Sequence, residues 1–537
     1  MLNERASGVL LHISSLPSKY GIGCFDKCAY DFVDFLQAAG QTYWQILPLC
    51  PTTIGDSPYQ SISTFALNEY FIDLDALCRL ELLKKEEFED IEWFKDKNKV
   101  DYSLLYTNRH RVLYKAFDRF RRNIPNDFNL FCKENLSWLG DYSLFCAVKD
   151  YFGAEPFYYW NDDIKYREIF AVEEFKEICK DRILYYKMIQ YFLFSQWQAI
   201  KKYANKRGIS IIGDMPIYVA NDSADVWANK EIFKLNSELK ASELAGCPPD
   251  CFSPDGQLWG NPVYDWKKLK KQKYSWWIER LNQSFKIYDI VRIDHFRGFE
   301  SYYSVKAGSN TARKGLWRKG GGKSFFDALP KEFKNKIIAE NLGFLTKEVD
   351  ELLKYTGFPG MKVLQFSFDS RDDNGKSLPD DFEKNNVVYT GTHDNDTVLG
   401  WCNTADKKDV AYAMRYLGAK DKFDLVDKMN ECAMNSNANT CILTMQDLLC
   451  LGSEARMNTP STMGENWKWR MSKDDLTSSL ARYAPRVIIF KRIIYLFNLK
   501  TVFNFLLKKA ETILNTVAVK RYIKICGAVQ KTSGKPA

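Results

Sequence analysis

The pattern of apolar and polar positions along the 537 residues predicts eight buried strands. Each is a short run rich in β-branched and aromatic residues, and most of the runs are continuously apolar instead of alternating. Continuous apolar runs are typical of parallel strands that are covered on both faces of a sheet. The runs are 8–13, 42–49, 209–217, 290–296, 336–341, 362–368, 386–394 and 440–449.

Helical patterns fill most of the gaps between these runs, such as YDFVDFLQAAG after the first. Eight strand–helix units predict a (β/α)8 TIM barrel. The second and third runs are about 160 residues apart, with helical patterns such as RVLYKAFDRF between them. Because that is too long for a loop, we expect a mainly helical insertion over 50–208. A second insertion, 218–289, is rich in Pro, Gly and Trp.

The formal net charge of +8 belongs to the C-terminal tail. From Pro485 onward there are 11 Lys or Arg and one acidic residue, whereas the other 484 residues carry 65 basic and 67 acidic side chains. A near-neutral body gives no support for a nucleic-acid partner. We therefore predict a catalytic barrel over 1–486 and an atypical basic-apolar tail over 487–537.

The tail has two interpretations. Its charges, including Lys491, Arg492 and Lys500, are too frequent for a transmembrane helix. The pattern fits a basic amphipathic helix that lies on an anionic membrane or binds a partner. It fits equally an appended segment packed on the barrel, and we favour that reading because the pattern alone is weak evidence.

The N-terminus lacks the basic and apolar regions of a signal peptide, so we expect a cytoplasmic protein. The 14 cysteines contain no CxxC pair and are expected to be free thiols. Cys247 and Cys251 flank two prolines, but this spacing gives weak support for a disulfide or half a metal site. We predict no metal and no cofactor. The aromatic content of 15% favours large cores, or surfaces that stack on flat ligands such as sugar rings.

Charged side chains gather where the predicted strands end. In a TIM barrel the C-terminal strand ends form one rim, and the chemistry lies there. Since side chains alternate along a strand, Arg292 and Asp294 point into one shared space. Three or more carboxylates with an Arg and a His on one rim are hard to explain by helix capping alone. The residues in question are Asp214, Arg292, Asp294, Glu340, His393 and Asp394.

Such a set suits glycoside chemistry. A retaining mechanism needs one carboxylate as nucleophile and another as acid/base, about 5–5.5 Å apart. Arg292 would keep a neighbouring Asp ionised, and burial of Glu340 after the apolar run KIIA would raise its pKa. Asp394 could stabilise positive charge on the sugar or bind its hydroxyls. For His12 and His295 we favour structural roles.

With these residues in these motifs, the sequence resembles the 4-α-glucanotransferases, the amylomaltase or disproportionating-enzyme family of the α-amylase clan. The resemblance extends from RASGVLLHISSLPS to GSEARMNTPSTMGENWKWR, with GDSPYQS, GDMPIYVANDSADVWA, RIDHFRG, IIAENLG and TGTHDNDTVLGW in the expected order between them. One departure is Ala66-Leu67-Asn68-Glu69, where the family usually has Ala-Gly-Asn-Pro, and we interpret it as a local turn difference. The C-terminal tail, 487–537, is a second departure from the family pattern.

The resemblance implies a role for each matched residue. Asp294 would be the nucleophile, Glu340 the acid/base and Asp394 the transition-state stabiliser, with Arg292 and His393 in support. The segment 247–266 would arch over the cleft as an active-site loop. Further substrate-binding residues would be Tyr59, Ser57, Asp214, Asp250, Phe252, Trp259 and Asn466.

The implied activity is transfer of α-1,4-glucan segments between maltodextrins through a covalent glycosyl-enzyme, with glucose as an acceptor. An amylase-like hydrolase and an inactive glucan-binding protein are the alternatives. The aromatic 247–266 segment favours transfer because it could keep water scarce over the cleft. The stretch after the eighth run has no strand-rich pattern to supply the C-terminal β-domain of α-amylases. The complete carboxylate set argues against an inert binder.

Overall fold

The computed structural model describes residues 2, 4–53, 55–249, 253–343, 345–371 and 378–476. The predictions for Asp250, Phe252, Cys251 and the tail 487–537 therefore lie outside the described residues.

Twelve strands are present in these described ranges, and eight of them form a closed parallel barrel. The barrel order is β1-β12-β11-β10-β9-β6-β3-β2. The strands are β1 (Ala6–Leu10), β2 (Tyr43–Gln45), β3 (Ser210–Met215), β4 (Glu243–Cys247), β5 (Gln257–Pro262), β6 (Ile290–Ile293), β7 (Ser301–Lys306), β8 (Gly315–Lys319), β9 (Ile337–Ala339), β10 (Gly360–Val363), β11 (Asn386–Tyr389) and β12 (Thr440–Thr444).

Each predicted apolar run contains part of one barrel strand, so the predicted TIM barrel is confirmed. The last residues of two runs are helical instead, because Leu364–Phe368 and Met445–Leu448 turn into short helices after β10 and β12. A continuous apolar run has no clear period, so it cannot mark where a buried strand gives way to a buried helix.

Helices surround the barrel and fill the long gap between β2 and β3. Those in the described part of the chain are α1 (Lys27–Ala38), α2 (Leu74–Arg79), α3 (Tyr102–Phe120), α4 (Asn126–Glu134), α5 (Leu136–Tyr151), α6 (Asp162–Lys165), α7 (Ile169–Ile178), α8 (Lys180–Lys206), α9 (Ala224–Ala228), α10 (Trp266–Lys271), α11 (Ser275–Ile287), α12 (Gly322–Ala328), α13 (Lys347–Thr356), α14 (Leu364–Phe368), α15 (Val398–Thr404), α16 (Lys407–Leu417), α17 (Lys422–Asn435) and α18 (Met445–Leu448). None of these described helices is long and apolar enough to cross a membrane.

Helices α2 to α8 lie in the gap where the sequence predicts a helical insertion. Residues of α8 such as Tyr185, Leu193 and Trp197 are fully buried, and α8 contacts both α4 and α5. Gln190 of α8 exchanges two hydrogen bonds of 2.8 Å with the backbone of Leu67, which stands in the segment that departs from the family pattern. The exact boundaries 50–208, 218–289 and 1–486 stay predictions.

A second sheet was not predicted. Strands β5, β4, β7 and β8 form an antiparallel sheet in that order, beside the barrel strands. Their sequences, such as QLWGNP and GLWRK, are short and mix apolar residues with Gly, Pro and charge, so they lack the buried-strand pattern. The segment expected to be an active-site loop, 247–266, therefore contains the last residue of β4 and all of β5, which pair in antiparallel register. After β12, the described residues up to Leu476 form no β-domain.

The barrel strands alternate between an inner and an outer face. Ile212 and Ile290 pack inside the barrel, whereas Ile211 and Val291 face the surrounding helices. Two residues further along β3 and β6, Asp214 and Arg292 are paired neighbours in the register. Because side chains two apart share a face, both point into the barrel mouth above the apolar interior.

Candidate active site

Two carboxylates come directly after neighbouring barrel strands. Asp294 follows β6 and Glu340 follows β9, and the last residues of these strands, Ile293 and Ala339, are paired in the register. The Glu340 N–H donates to the Ile293 carbonyl at 3.0 Å, and the Glu340 carbonyl accepts from the Phe296 N–H at 3.0 Å. The barrel backbone therefore fixes the separation of the two side chains.

Arg292 lies between the carboxylates at the barrel mouth. Its Nη1 donates to both oxygens of Asp214 at 2.7 Å, and its Nη2 is 2.9 Å from Asp294 Oδ1. The Nε contacts the sulfur of Met361 at 3.3 Å. Only 5% of the Arg292 side chain and 0% of the Asp214 side chain are exposed. Burying a charge costs several kcal/mol unless it is paired, and here each buried charge has a partner.

Asp214 is enclosed by its protein partners. Tyr59 Oη donates to Asp214 Oδ2 at 2.7 Å, and the Tyr59 ring stacks on His393 with centroids 5.0 Å apart. Trp467 packs against the same Tyr59 ring at 5.7 Å. Asp214 therefore orients Arg292 and Tyr59, and its expected direct contact with substrate stays a prediction. Its position suits holding other groups that face the cleft.

Glu340 is held by two backbone donors. The N–H of His295 donates to Oε2 at 2.8 Å, and the N–H of Leu342 donates to Oε1 at 2.6 Å. Burial and the negative charge of Asp294 together raise the pKa of Glu340 to about 7, against the opposing effects of Arg292 and the two N–H groups. A carboxyl group with this pKa carries its proton part of the time at neutral pH, as a general acid requires.

Burial also raises the pKa of Asp294, but Arg292 opposes that rise through direct contact. The cation stands against Asp294 Oδ1, whereas the direct partners of Glu340 are neutral N–H groups. When the two carboxyl groups carry one proton between them, that proton is therefore favoured on Glu340. Asp294 is then the ionised member of the pair.

His295 acts through its backbone. Its φ of 53° is in the left-handed region, which directs its N–H towards Glu340. The imidazole ring stands edge-on to Trp259 with centroids 4.8 Å apart. Burial lowers the pKa of His295 to about 3, so the ring is neutral. This geometry agrees with the structural role favoured for it from the sequence.

The third carboxylate, Asp394, lies on a loop five residues beyond the end of β11. Its Oδ1 accepts from Asn458 Nδ2 at 2.6 Å and lies 3.3 Å from His393 Nε2. Its carbonyl oxygen accepts from Arg456 Nη2 at 2.7 Å. With 47% of its side chain exposed, Asp394 faces the open cleft more than any other group of this set.

Comparison with known proteins decides the family. The glycoside hydrolase 77 profile, described as 4-alpha-glucanotransferase, matches residues 11–477. The chain belongs to the 4-alpha-glucanotransferase family. A 4-alpha-glucanotransferase of Streptococcus pneumoniae is 51% identical over 483 residues, which cover 89% of this chain and 95% of that protein. One from Clostridium butyricum is 48% identical over 480 residues, covering 89% of this chain and 98% of that protein.

A solved structure gives the same result. The amylomaltase from Streptococcus agalactiae in complex with acarbose has a TM-score of 0.88 and 40% identity to this chain. The match covers 91% of this chain and 99% of the amylomaltase. The resemblance inferred from the motifs is thereby confirmed.

The other predicted family residues divide into two groups. Ser57 Oγ accepts from the Tyr59 N–H at 3.2 Å, and the Trp259 carbonyl accepts from Gln60 Nε2 at 2.7 Å, so both hold the segment that carries Tyr59. Asn466 instead bonds within its own loop: Oδ1 accepts from the Thr459 N–H at 3.0 Å. We find its side chain stabilising that loop, next to Trp467, which reaches the site.

Several residues of the site were missed by sequence reasoning. Arg456 and Asn458 bind the Asp394 segment, Met361 contacts Arg292, and Trp467 packs on Tyr59. Three of them lie in the loops after β12, where neither apolar periodicity nor a strand end marks a position. The sequence signal that could have identified these three residues is their position in the motifs EARMN and ENWKW. Those motifs support the family resemblance.

Proposed function

We propose that this family member transfers α-1,4-glucan segments between maltodextrins by a retaining double displacement. The observation that carries the proposal is the pair of adjacent strand-end carboxyls, Asp294 beside the Arg292 cation and Glu340 beside neutral N–H groups. Opposite protonation states in one site are what this mechanism needs.

In the first step Asp294 attacks the anomeric carbon of the donor sugar. Glu340 gives its proton to the glycosidic oxygen, the bond from that oxygen to the anomeric carbon breaks, and the shortened glucan leaves with a free 4-hydroxyl. The glycosyl unit is then an ester of Asp294. The Arg292 cation keeps Asp294 anionic before the attack, which supports this order of events.

In the second step an acceptor 4-hydroxyl attacks the same carbon from the opposite side to Asp294. Glu340, now a carboxylate, takes the hydroxyl proton, and the ester bond to Asp294 breaks. Two inversions retain the α configuration, and the acid/base ends the cycle with its proton restored. The acceptor is another maltodextrin or glucose.

Asp394 and His393 are proposed to bind the sugar where positive charge develops in the transition state. The exposure of Asp394 at the cleft supports direct contact with substrate. The ring of Tyr59, packed between His393 and Trp467, is proposed to stack on or border the same sugar. Trp259, in β5, would line the cleft. The substrate contacts expected of Asp250 and Phe252 stay predictions.

Maltotriose tests this function. We expect glucose together with a ladder of longer maltodextrins, separated by chromatography. Stoichiometric release of reducing ends without longer products would instead support the hydrolase alternative, and no turnover with intact binding would support an inert glucan-binding protein.

Residues 487–537 are proposed to lie outside the catalytic unit, since the family match ends at residue 477. Deletion from Val487 onward should leave the maltotriose reaction unchanged, and a chain that no longer folds would contradict this division. A cytoplasmic location is proposed as well, supported by the buried thiols of Cys24, Cys146 and Cys441. Cell fractionation with an antibody tests it.

A further inference from the structure

The loop after β12 contacts the Asp394 segment, which follows the neighbouring strand β11. The Nδ2 of Asn458 donates to Asp394 Oδ1 at 2.6 Å, and the N–H of Asn458 donates to the His393 carbonyl at 3.0 Å. One residue therefore binds two consecutive residues of the catalytic loop, one through its backbone and one through its side chain.

Arg456 ties the two segments together. Its Nη2 donates to the Asp394 carbonyl at 2.7 Å, and its Nε donates to the Asn458 carbonyl at 2.8 Å. A planar guanidinium fixes the directions of both hydrogen bonds at once, which a lysine cannot do. Arg456 thus sets the distance between the backbones of Asp394 and Asn458.

Met457, between these two residues, anchors them in the barrel. Its side chain is buried with the apolar residues of the barrel interior, such as Ile442, and its carbonyl accepts from the Trp467 N–H at 2.7 Å. Since alternate side chains of an extended segment point opposite ways, burial of Met457 directs its polar neighbours Arg456 and Asn458 towards Asp394. We call residues 456–458 the clamp.

We propose that Asn458, supported by Arg456, is a positioning residue that fixes the Asp394 carboxylate for the transition state. The inference rests on the role proposed above for Asp394. Asp394 follows no strand directly, and its side chain is half exposed, so barrel pairing alone does not set its orientation. The amide of Asn458 holds one carboxylate oxygen and leaves the group aimed into the cleft.

Two variants test the clamp. Asn458→Asp has nearly the same shape but replaces the donor with an acceptor, and Asn458→Ala removes the side chain. We expect kcat with maltotriose to fall about 10- to 100-fold in both, with KM changed less than about threefold, because misplacement of a catalytic group affects the transition state most. Asn385→Ala is the matched control. Asn385 lies just before β11, at the end of this strand opposite to the one that leads to Asp394. Its side chain donates to the Gly357 carbonyl at 3.2 Å.

A second glycosyl donor substrate distinguishes the positioning role of Asn458 from acid catalysis by Glu340. A maltosyl fluoride needs little proton donation to its leaving group. The first-step rate, followed as the initial release of fluoride, should therefore recover largely in Glu340→Gln and little in Asn458→Asp. Thermal unfolding checks that each variant is folded, and Asn458→Asp, being nearly isosteric, keeps the test valid if Asn458→Ala is unstable.

Three results would overturn the clamp: kcat within twofold of the parent chain, an equal loss in Asn385→Ala, or full recovery of Asn458→Asp with the fluoride. Failure of the unaltered chain to make longer maltodextrins would be a different result. It would reject the proposed function and not the clamp alone.

Discussion

The two sides of the catalytic rim are built differently. On one side, Asp294 and Glu340 follow β6 and β9 directly, and strand pairing fixes their positions. On the other side, Asp394 lies in a loop and is held by the clamp, which comes from beyond β12. On the strand-end side, pairing with a charged group sets the protonation of the two carboxyls. On the loop side, hydrogen bonds from the clamp, which is distant in sequence, set the orientation of the Asp394 carboxylate.

The largest expected effect is on the strand-end side. Asp294→Asn keeps the shape but removes the proposed nucleophile, and we expect kcat to fall at least about 10⁴-fold, as for other covalent nucleophiles. Initial rates with maltotriose measure it, and a melting temperature near that of the parent chain shows that the barrel is intact. Activity within tenfold of the parent chain would reject the assignment.

Glu340→Gln should lower kcat with maltotriose by about 10²- to 10⁴-fold, the usual contribution of a general acid. A donor with a fluoride leaving group should recover most of the glycosylation rate. Equal losses with both donors would mean that Glu340 does not protonate the leaving group.

The same residue should set the alkaline limb of the pH profile. The proposed first step uses protonated Glu340, whose pKa is raised to about 7 by burial and by the charge of Asp294. kcat/KM for maltotriose should therefore decrease as pH rises through that value, and this limb should be absent with the fluoride donor. A limb that persists with the fluoride would point to another group.

Removing the charge between the carboxylates tests how protonation is set. Arg292→Met leaves Asp214 and Asp294 close together without a cation, and breaking a buried pair in this way costs about 3–5 kcal/mol of stability. Adding Asp214→Asn should recover much of that stability, as measured by thermal unfolding, without recovering activity. Recovery of transfer in the double variant would show that Arg292 serves packing alone.

The smallest expected effect is at a charge pair between α3 and the segment before α2, and it serves as a reference. His110 Nε2 lies 3.4 Å from Glu69 Oε1, and although burial opposes it, this carboxylate raises the pKa of His110 above its ordinary value. A raised pKa means that the pair stabilises the fold at low pH and that this contribution is lost as pH rises through the pKa of the folded protein.

His110→Gln should therefore lower the melting temperature by about 1–2 °C at pH 5.5 and by less at pH 9, with transfer unchanged. Thermal scans at the two pH values measure this difference. An equal decrease at both would indicate lost packing instead of lost charge.

The same difference between strand and loop explains what could be predicted from the sequence. The barrel strands were predictable because buried parallel strands are continuously apolar, and Asp294 and Glu340 were found because they interrupt such runs at one edge. Arg292 was predictable as the neighbour of Asp294 on the same face, but the contact of its Nη1 with both oxygens of Asp214 required the register of β3 against β6.

The clamp and the small sheet could not be predicted in this way. Asn458 and Arg456 have no periodic neighbours, and their contacts join residues 62 and 64 positions apart. In β7 and β8, polar residues such as Ser301 and Lys319 are paired with each other. Because these strands contain so many polar residues, their sequences resemble those of loops. The side chain of Asn466 bonds within its own loop, and its predicted approach to the substrate stays a prediction.

The packing of Trp467 on Tyr59 has a consequence for synthesis of the protein. These two rings come from segments that follow the second and the last barrel strands, and Asn458 also belongs to the last segment. A nascent chain on the ribosome can form its helices and early strands, because folding proceeds from the N-terminal end. It cannot complete the proposed sugar site until nearly the whole family domain has emerged, so we expect an unfinished chain to be inactive in glucan transfer.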